Sequence, residues 1–116
     1  MNTTALETNA RRASALLKAM ANERRLQILC QLADGEKSVG ALEKLVRVSQ
    51  SALSQHLARL RRDQLVSTRR VAQTIFYSLS GREAGAVMET LYALYCEPVP
   101  APLPPDAMPS RSPVGA

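Results

Sequence analysis

The sequence has little of what small secreted domains and most enzymes need: no tryptophan, one phenylalanine, one histidine and two cysteines among 116 residues. Two cysteines cannot supply the disulfide framework of a small secreted protein. A single histidine leaves too few imidazole and thiolate ligands for zinc. No Ser–His–Asp arrangement, pair of carboxylates in an apolar setting or glycine-rich phosphate loop is present either. These absences argue against an enzyme and against a metal site.

Long hydrophobic runs are also missing. No apolar stretch approaches the roughly 20 residues that cross a bilayer. The N-terminal sequence MNTTALETNARR contains neither the apolar segment nor the small-residue cleavage site of a secretory signal. We therefore expect a cytoplasmic protein without a membrane partner.

Proline is confined to the C-terminal end of the chain. All seven prolines lie at or beyond Pro98, and a segment so rich in proline forms neither helix nor packed core. The sequence therefore predicts one folded domain over residues 1–97 and a disordered proline-rich tail over residues 98–116.

The excess positive charge is confined to one part of the chain. Residues 47–73 contain six arginines and one acid, Asp63, which together account for the whole net charge of +5. A solvated helix face would intersperse acids among its bases, whereas a localised basic block is typical of a surface that binds phosphates. The charge distribution therefore favours nucleic acid as the partner.

Hydrophobic periodicity predicts four helices in the first half of the chain. Apolar residues at spacings of three and four indicate a first amphipathic helix over residues 5–20. Asn22, Ser38 and Ser49 are good N-caps for three further helices, the first of which ends at Asp34–Gly35. The residues expected to face the core in the second and fourth helices are Leu29 and Leu32 with Leu26 or the neighbouring Ile28, and Leu53, Leu57 and Leu60.

Downstream, the period changes from helical to alternating. LVSTRRV and TIFYSL are short β-rich runs joined by Ala72–Gln73, which predicts a β-hairpin with a basic tip. A last helix is predicted over residues 82–96. The third and fourth helices are about three residues apart, which is the spacing of a helix–turn–helix motif. A hairpin directly after that motif is a wing, so we predict a mainly α fold with a β-hairpin wing: a winged helix–turn–helix.

The fourth helix carries the candidate DNA-reading residues. Its outer side is a run of small polar, amide and basic side chains, which suit base edges in the major groove. Arginines at the end of this helix, Arg61 and Arg62, and on the wing suit phosphates better. The predicted DNA-binding set is Ser49, Gln50, Ser51, Ser54, Gln55, His56, Arg59, Arg62, Arg69 and Arg70.

Two members of this set have competing interpretations. Ser49 is an N-cap, and we expect it to serve as cap and DNA contact together. His56 is predicted to contact a base or a phosphate. A metal ligand at His56 would need partners at matching spacing, and the sequence has no second histidine and no nearby cysteine.

Residues 12–96 contain five distinctive stretches: AMANERRLQIL, SVGALEKL, SQSALSQHLARLR, LVSTRR and QTIFYSL. Together these stretches resemble the ArsR/SmtB family of bacterial winged-helix repressors. The resemblance implies a homodimer, built through the first and last helices, that binds palindromic double-stranded operator DNA and leaves it when an inducer arrives. The family's metal-binding thiols and imidazoles are missing here, so no metal control is expected.

Within the family, the placement of Cys30 in the second helix and Cys96 at the end of the last is similar to the BigR/SqrR/YgaV subgroup. That resemblance implies a redox-sensing pair: reactive sulfur species, persulfide or polysulfide, link the two thiols and DNA affinity falls. The residues alone leave a structural role open, since free cysteine also behaves as a small hydrophobe. Haem binding by the pair is a further open alternative, and no other cofactor is expected.

A second resemblance points to a different kind of control. The DNA-binding half is also similar to the nodulation repressor NolR, which lacks this cysteine pair. It implies a constitutive repressor without a ligand or redox switch. A winged helix that contacts proteins instead of DNA is the remaining alternative, and it predicts weak DNA binding with little salt dependence.

Overall fold

The computed structural model describes residues 1–96, and the predicted proline-rich tail lies outside the described residues. The chain forms six helices and three short strands within this range. In order, they are α1 (Thr3–Thr8), α2 (Ala10–Met20), α3 (Glu23–Ala33), β1 (Lys37–Ser38), α4 (Val39–Val46), α5 (Gln50–Arg62), β2 (Val66–Val71), β3 (Thr74–Leu79) and α6 (Glu83–Tyr95).

The three predicted N-caps are confirmed by their hydrogen bonds. The Asn22 side chain accepts from the second and third backbone amides of α3, at 2.9 and 3.1 Å. Ser38 and Ser49 each accept from the third amide of their helix at 3.1 Å. Each cap satisfies amides that have no partner inside the helix. Local chemistry therefore fixes where α3, α4 and α5 begin.

The prediction of one helix over residues 5–20 is wrong, because the chain breaks at Asn9. The Asn9 side chain donates to the Ala5 carbonyl at 2.9 Å, and its backbone amide donates to the carbonyls of Ala5 and Leu6. Asparagine competes in this way with the regular helical ladder. The result is two helices, of which α1 buries no residue in the protomer.

The strands form one antiparallel sheet in the order β1–β3–β2. The hairpin of β2 and β3 is confirmed, with Ala72 and Gln73 as its two-residue turn. Ala72 adopts a left-handed φ of 55°, which is uncommon for a residue with a Cβ atom. The two-residue strand β1 was not predicted, because a strand of that length has no period to detect.

The core lies where α3, α4 and α5 pack against one another and against the base of the hairpin. The predicted leucines of α5 are confirmed as buried, and in α3 Ile28 is buried while Leu26 packs at the core's edge. The buried set is Ala19, Met20, Ile28, Leu29, Leu32, Leu42, Val46, Leu53, Leu57, Leu60, Leu65, Val66, Ala84 and Met88. This core holds α4 and α5 as a helix–turn–helix, with Arg47 in the turn at a left-handed φ of 58°.

The terminal helices differ from the rest in what they leave uncovered. On α2, Leu17 is 56% exposed, and on α6, Leu94 and Tyr95 are 68% and 80% exposed. Tyr92 is also exposed. None of the helices in residues 1–96 is long and apolar enough to span a membrane. The exposed apolar side chains of α2 and α6 are therefore not covered by the rest of the protomer.

Candidate nucleic-acid interface and thiol pair

The first two turns of α5 present the predicted polar residues to solvent. Gln50, Ser51, Ser54 and Gln55 are all exposed, and Ser51 and Gln55 lie on the side of the helix opposite its buried leucines. Ser49 is exposed as well, and its Oγ lies 3.5 Å from that of Ser51. A helix that buries one stripe and projects short polar groups from the other is suited to insertion into a major groove.

His56 differs from its neighbours because it is half-buried. Burial lowers the pKa of its imidazole, and the positive charges of Arg25 and Arg24 on α3 lower that pKa further. The imidazole is therefore neutral near pH 7. His56 lies where α5 meets the start of α3, so any anion bound there would face His56 together with these two arginines.

The arginines at the end of α5 are not equivalent. Arg59 Nε donates to Asp63 Oδ2 at 2.7 Å, one helical turn away. Arg62 lies 3.9 Å from the same carboxylate and its side chain is 71% exposed. The one acid in the basic segment therefore holds Arg59 and leaves Arg62 extended into solvent, where a phosphate can reach it.

The two arginines of the wing lie on opposite faces of the sheet. Arg70 is opposite Ile75 in the register, and Arg69 is opposite Phe76. Ile75 and Tyr77 line a groove of about 660 Å³ between the wing and α5. Because side chains alternate along a strand, Arg70 belongs to the face that carries this groove and Arg69 to the outer face.

Arg69 is held by a carboxylate that the sequence did not indicate. Its Nε and Nη2 donate to Glu36 Oε2 and Oε1 at 2.7 and 2.8 Å, and its guanidinium carbon lies 5.0 Å from the centre of the Phe76 ring. The hydrogen bonds lower the pKa of Glu36 and raise that of Arg69. Glu36 and Arg69 are 33 residues apart, so no local pattern reveals the pair.

A second contact missed by the sequence reading joins α2 to α3. Arg25 Nε donates to the Ala19 carbonyl at 2.6 Å, at the end of α2 where carbonyls lack helical partners. Burial lowers the pKa of Arg25, and the charge of Arg59 acts in the same direction. Arg25 thus connects α3 to the end of the terminal helix α2.

Both cysteine thiols are free and exposed. Cys30 lies near the end of α3, and Cys96 follows directly after α6, where its backbone amide donates to the Tyr92 carbonyl at 2.8 Å. The helices α3 and α6 pack against each other. Solvent-borne reagents can therefore reach either thiol. Within residues 1–96, no group of three or more His, Cys, Asp or Glu residues is placed to hold a metal ion.

Fold and surface together define a winged helix–turn–helix regulator of transcription that binds DNA. A profile of bacterial regulatory proteins of the arsR family matches residues 22–68. The transcriptional activator HlyU of Vibrio cholerae is 61% identical over 97 residues, covering 84% of this chain and 90% of HlyU. The nodulation protein NolR of Rhizobium meliloti is 56% identical over 82 residues, covering 71% and 65% respectively. The chain belongs to the ArsR family.

Solved structures agree with this assignment. Reduced HlyU from Vibrio cholerae superposes with a TM-score of 0.76 at 62% identity, covering 79% of this chain and 97% of HlyU. The repressor BigR from Xylella fastidiosa gives 0.80 at 37% identity, covering 84% and 100%. A homodimeric winged helix–turn–helix domain from Mycobacterium bovis gives 0.67 at 28% identity, covering 81% and 85%. The predicted fold is confirmed, and relatives that are transcription regulators confirm that the chain is not an enzyme.

Proposed function

We propose that this protein is a cytoplasmic, homodimeric, sequence-specific transcriptional repressor that is released from its operator when reactive sulfur species modify Cys30 and Cys96. The observation that carries the DNA-binding part is the exposed polar face at the start of α5, bordered by the exposed Arg62 and Arg70. The thiol part is supported by two free, exposed cysteines: Cys30 lies in α3, Cys96 follows directly after α6, and these two helices pack together.

Each DNA-facing group has a role that follows from its chemistry. Gln50 and Gln55 each carry an amide that pairs with adenine in two hydrogen bonds, and Ser49, Ser51 and Ser54 have hydroxyls that donate to or accept from base edges. Arg59 also belongs to the residues that the sequence predicts to contact DNA. Arg62 and Arg70 are placed to neutralise backbone phosphates, which sets the register without reading sequence.

The homodimer is supported by the uncovered apolar side chains of the terminal helices. A two-fold contact between α2 and α6 of two copies would remove Leu17, Leu94 and Tyr95 from water. Such a contact presents two copies of α5, and half-sites about 34–36 Å apart place both in successive major grooves. The proposed operator is therefore a palindrome.

The proposed switch is a two-step sulfur transfer. A Cys thiolate attacks the outer sulfur of an organic persulfide, R–S–SH, which gives a cysteine persulfide and releases the thiol R–SH. The second cysteine then attacks the inner sulfur, forms a disulfide and releases H₂S, so two thiols are oxidised while one sulfane sulfur is reduced. A further sulfane sulfur inserted before closure gives a longer bridge. A bridge from α3 to α6 would displace the dimer helix α6 relative to α5.

DNA binding is tested by fluorescence anisotropy with the protein's own upstream promoter and a random duplex of equal length. We expect preference for the promoter, with log K falling against log[salt] by roughly 0.9 per phosphate contacted. Gln50→Ala should cost about 1–3 kcal/mol on the promoter and little on random DNA. A shallow salt slope with equal affinity for both duplexes would instead favour a protein-binding winged helix.

The switch is tested with the same duplex before and after treatment with an organic persulfide, with intact mass recorded in parallel. A coupling free energy of about 1–3 kcal/mol between thiol modification and DNA binding lowers DNA affinity 5- to 150-fold. Dithiothreitol should restore the affinity. Cys30→Ser and Cys96→Ser should bind as tightly as the untreated protein and fail to respond. Haem added in place of persulfide tests the cofactor alternative by its absorption spectrum.

The second candidate is a constitutive repressor, which the 56% identity to NolR favours. It predicts tight binding that persulfide leaves unchanged. The direction of control is tested separately, because HlyU is named an activator and BigR a repressor. Deleting the gene should raise expression from the bound promoter if the protein represses and lower it if the protein activates.

A further inference from the structure

The Glu36–Arg69 pair connects all three strands of the sheet. Glu36 directly precedes β1, Arg69 lies in β2, and the guanidinium between them passes over Phe76 of the central strand β3. Ser38 and Arg69 flank Phe76 on its two sides in the register. We name this group the wing clamp: Glu36, Arg69 and Phe76.

The wing clamp occupies the hydrogen-bonding groups that a phosphate would use. A guanidinium presents a planar fork to a carboxylate or a phosphate, and both Glu36 oxygens already accept from Arg69, at 2.7 and 2.8 Å. Arg69 also lies on the sheet face opposite the groove beside α5. Arg70, which is exposed on the groove side, has no such partner among the hydrogen bonds and ion pairs described for residues 1–96.

We propose that Glu36 and Arg69 are positioning residues of the DNA interface, which fix the angle of the wing so that Arg70 meets the operator backbone. This inference rests on the proposed DNA binding and assigns Arg69 a different role from the phosphate contact expected from sequence. Glu36 acts through Arg69, and Arg69 acts through the orientation of β2 and β3.

The wing clamp is needed because few other contacts hold the turn end of the hairpin to the rest of the protein. The strand β1 contributes only two residues, Lys37 and Ser38, and of β2 only Val66 is buried. From Arg69 onward every residue of β2 is exposed. A bidentate contact across three strands therefore restrains the part of the wing that the hydrophobic core does not reach.

The test compares Glu36→Gln, Arg69→Gln, the double variant and Arg70→Gln for promoter affinity at several salt concentrations. Glu36→Gln makes the protein more positive, so simple electrostatics predicts tighter DNA binding. Positioning predicts the opposite: binding about two- to fivefold weaker, as expected for loss of an exposed but well-oriented pair. Arg69→Gln should match it, and the double variant should be no weaker than either single one.

The salt dependence separates positioning from phosphate contact. Arg70→Gln should reduce the slope of log K against log[salt] by about 0.9, the loss of one neutralised phosphate. Glu36→Gln and Arg69→Gln should leave the slope unchanged. The charge-swapped variant Glu36→Arg with Arg69→Glu restores the pair and should recover affinity. Circular dichroism melts of all variants confirm that the domain is folded.

Two results would overturn the inference. Affinity that rises or stays the same in Glu36→Gln shows that the carboxylate does not support binding. A slope reduced by about 0.9 in Arg69→Gln shows that Arg69 itself contacts a phosphate. Both results can be interpreted only if the wild-type protein prefers its promoter over random DNA. The wild-type measurement therefore tests the proposed DNA binding by itself, and the variants test the positioning role.

Discussion

The region proposed to contact DNA and the terminal helices differ in how much of their apolar side chains they bury within the protomer. The DNA-reading region, α4, α5 and the three strands, buries large apolar residues such as Leu42 and Leu60 completely inside the protomer, while Leu45 and Val71 are about half exposed. The terminal helices α1, α2 and α6 leave Leu17, Leu94 and Tyr95 largely in water. The terminal helices therefore leave larger fractions of their apolar side chains in water, and we propose that a second copy of the chain covers them.

This difference assigns two properties, folding stability and association, to different parts of one short chain. In the DNA-reading region, stability and orientation of α5 depend on contacts within the protomer. In the terminal helices, the exposed apolar side chains form the proposed contact between two copies of the chain. Substitutions in the two regions should therefore affect different measurements, unfolding in one case and association in the other.

The largest effect is expected for Leu17→Asp on α2. In a two-fold dimer each substitution occurs twice, so losing about 1.5–3 kcal/mol of burial per leucine weakens association at least 100-fold. Size-exclusion chromatography with light scattering should show a monomer, and promoter affinity should fall with it. Leu45→Asp on α4, where the leucine is also about half exposed, is the matched control and should stay dimeric. A dimeric Leu17→Asp would remove the distinction between the regions.

Leu60→Ala should have the next largest effect and a different readout. Leu60 is fully buried against the core, and the cavity left by a leucine costs about 2–5 kcal/mol of unfolding free energy. Urea denaturation followed by circular dichroism measures this loss. Leu45→Ala, partly exposed on α4, should lose less than half as much. Equal losses in the two variants would contradict a core centred on α5.

Substitutions at helix caps should have a smaller effect, and they compare α5 of the DNA-reading region with α2 of the terminal helices. Ser49→Ala removes the side-chain acceptor at the start of α5 and should cost about 1 kcal/mol of unfolding free energy. Asn9→Ala at the start of α2 should cost less, because Asn9 makes no cap hydrogen bond to that helix. Thermal melts at one protein concentration compare them. The comparison fails if Asn9→Ala is the more destabilising substitution.

The smallest predicted effect is a pH dependence confined to the DNA-reading region. His56, the one histidine of the chain, has a lowered pKa from burial and from Arg25 and Arg24, so the unfolded chain binds a proton more readily. Unfolding free energy should therefore decrease as pH falls through about 6.5. Denaturation at several pH values tests this, with His56→Gln as the control that loses this dependence.

Promoter affinity should respond to pH in the opposite direction. A DNA phosphate near His56 offsets the two arginine charges and favours the imidazolium, so binding takes up a proton and tightens as pH falls. We expect a change of about two- to threefold between about pH 7.5 and 6. Anisotropy titrations of wild type and His56→Gln measure it. An affinity that is flat in wild type would place His56 away from any phosphate.

Sequence was sufficient where the physics is local. The caps at Asn22, Ser38 and Ser49 act within three residues, and the leucine stripe of α5 repeats at helical spacing, so each was predictable. The polar face of α5 followed from that stripe by exclusion. These features account for the fold class and for the exposure of most of the predicted DNA-reading residues.

Sequence was insufficient where the deciding contact is distant or competes with a regular pattern. Apolar spacing continues through Asn9, and the break between α1 and α2 is revealed only by the hydrogen bond from its side chain to the preceding turn. Glu36 and Arg69 are 33 residues apart, so the arginine pattern of the wing suggested a free cation. The different roles of Arg69 and Arg70 could be recognised only from the strand register, because the register fixes the face of the sheet on which each side chain lies.

The alanine at the tip of the wing has a consequence for how this regulator can evolve. Ala72 holds a left-handed φ of 55°, a conformation that costs a residue with a Cβ atom about 1–2 kcal/mol and glycine almost nothing. In the genetic code every alanine codon becomes a glycine codon by one base change. The backbone strain in the turn of the wing is therefore a trait that a single point mutation can remove, without touching any residue proposed to contact DNA.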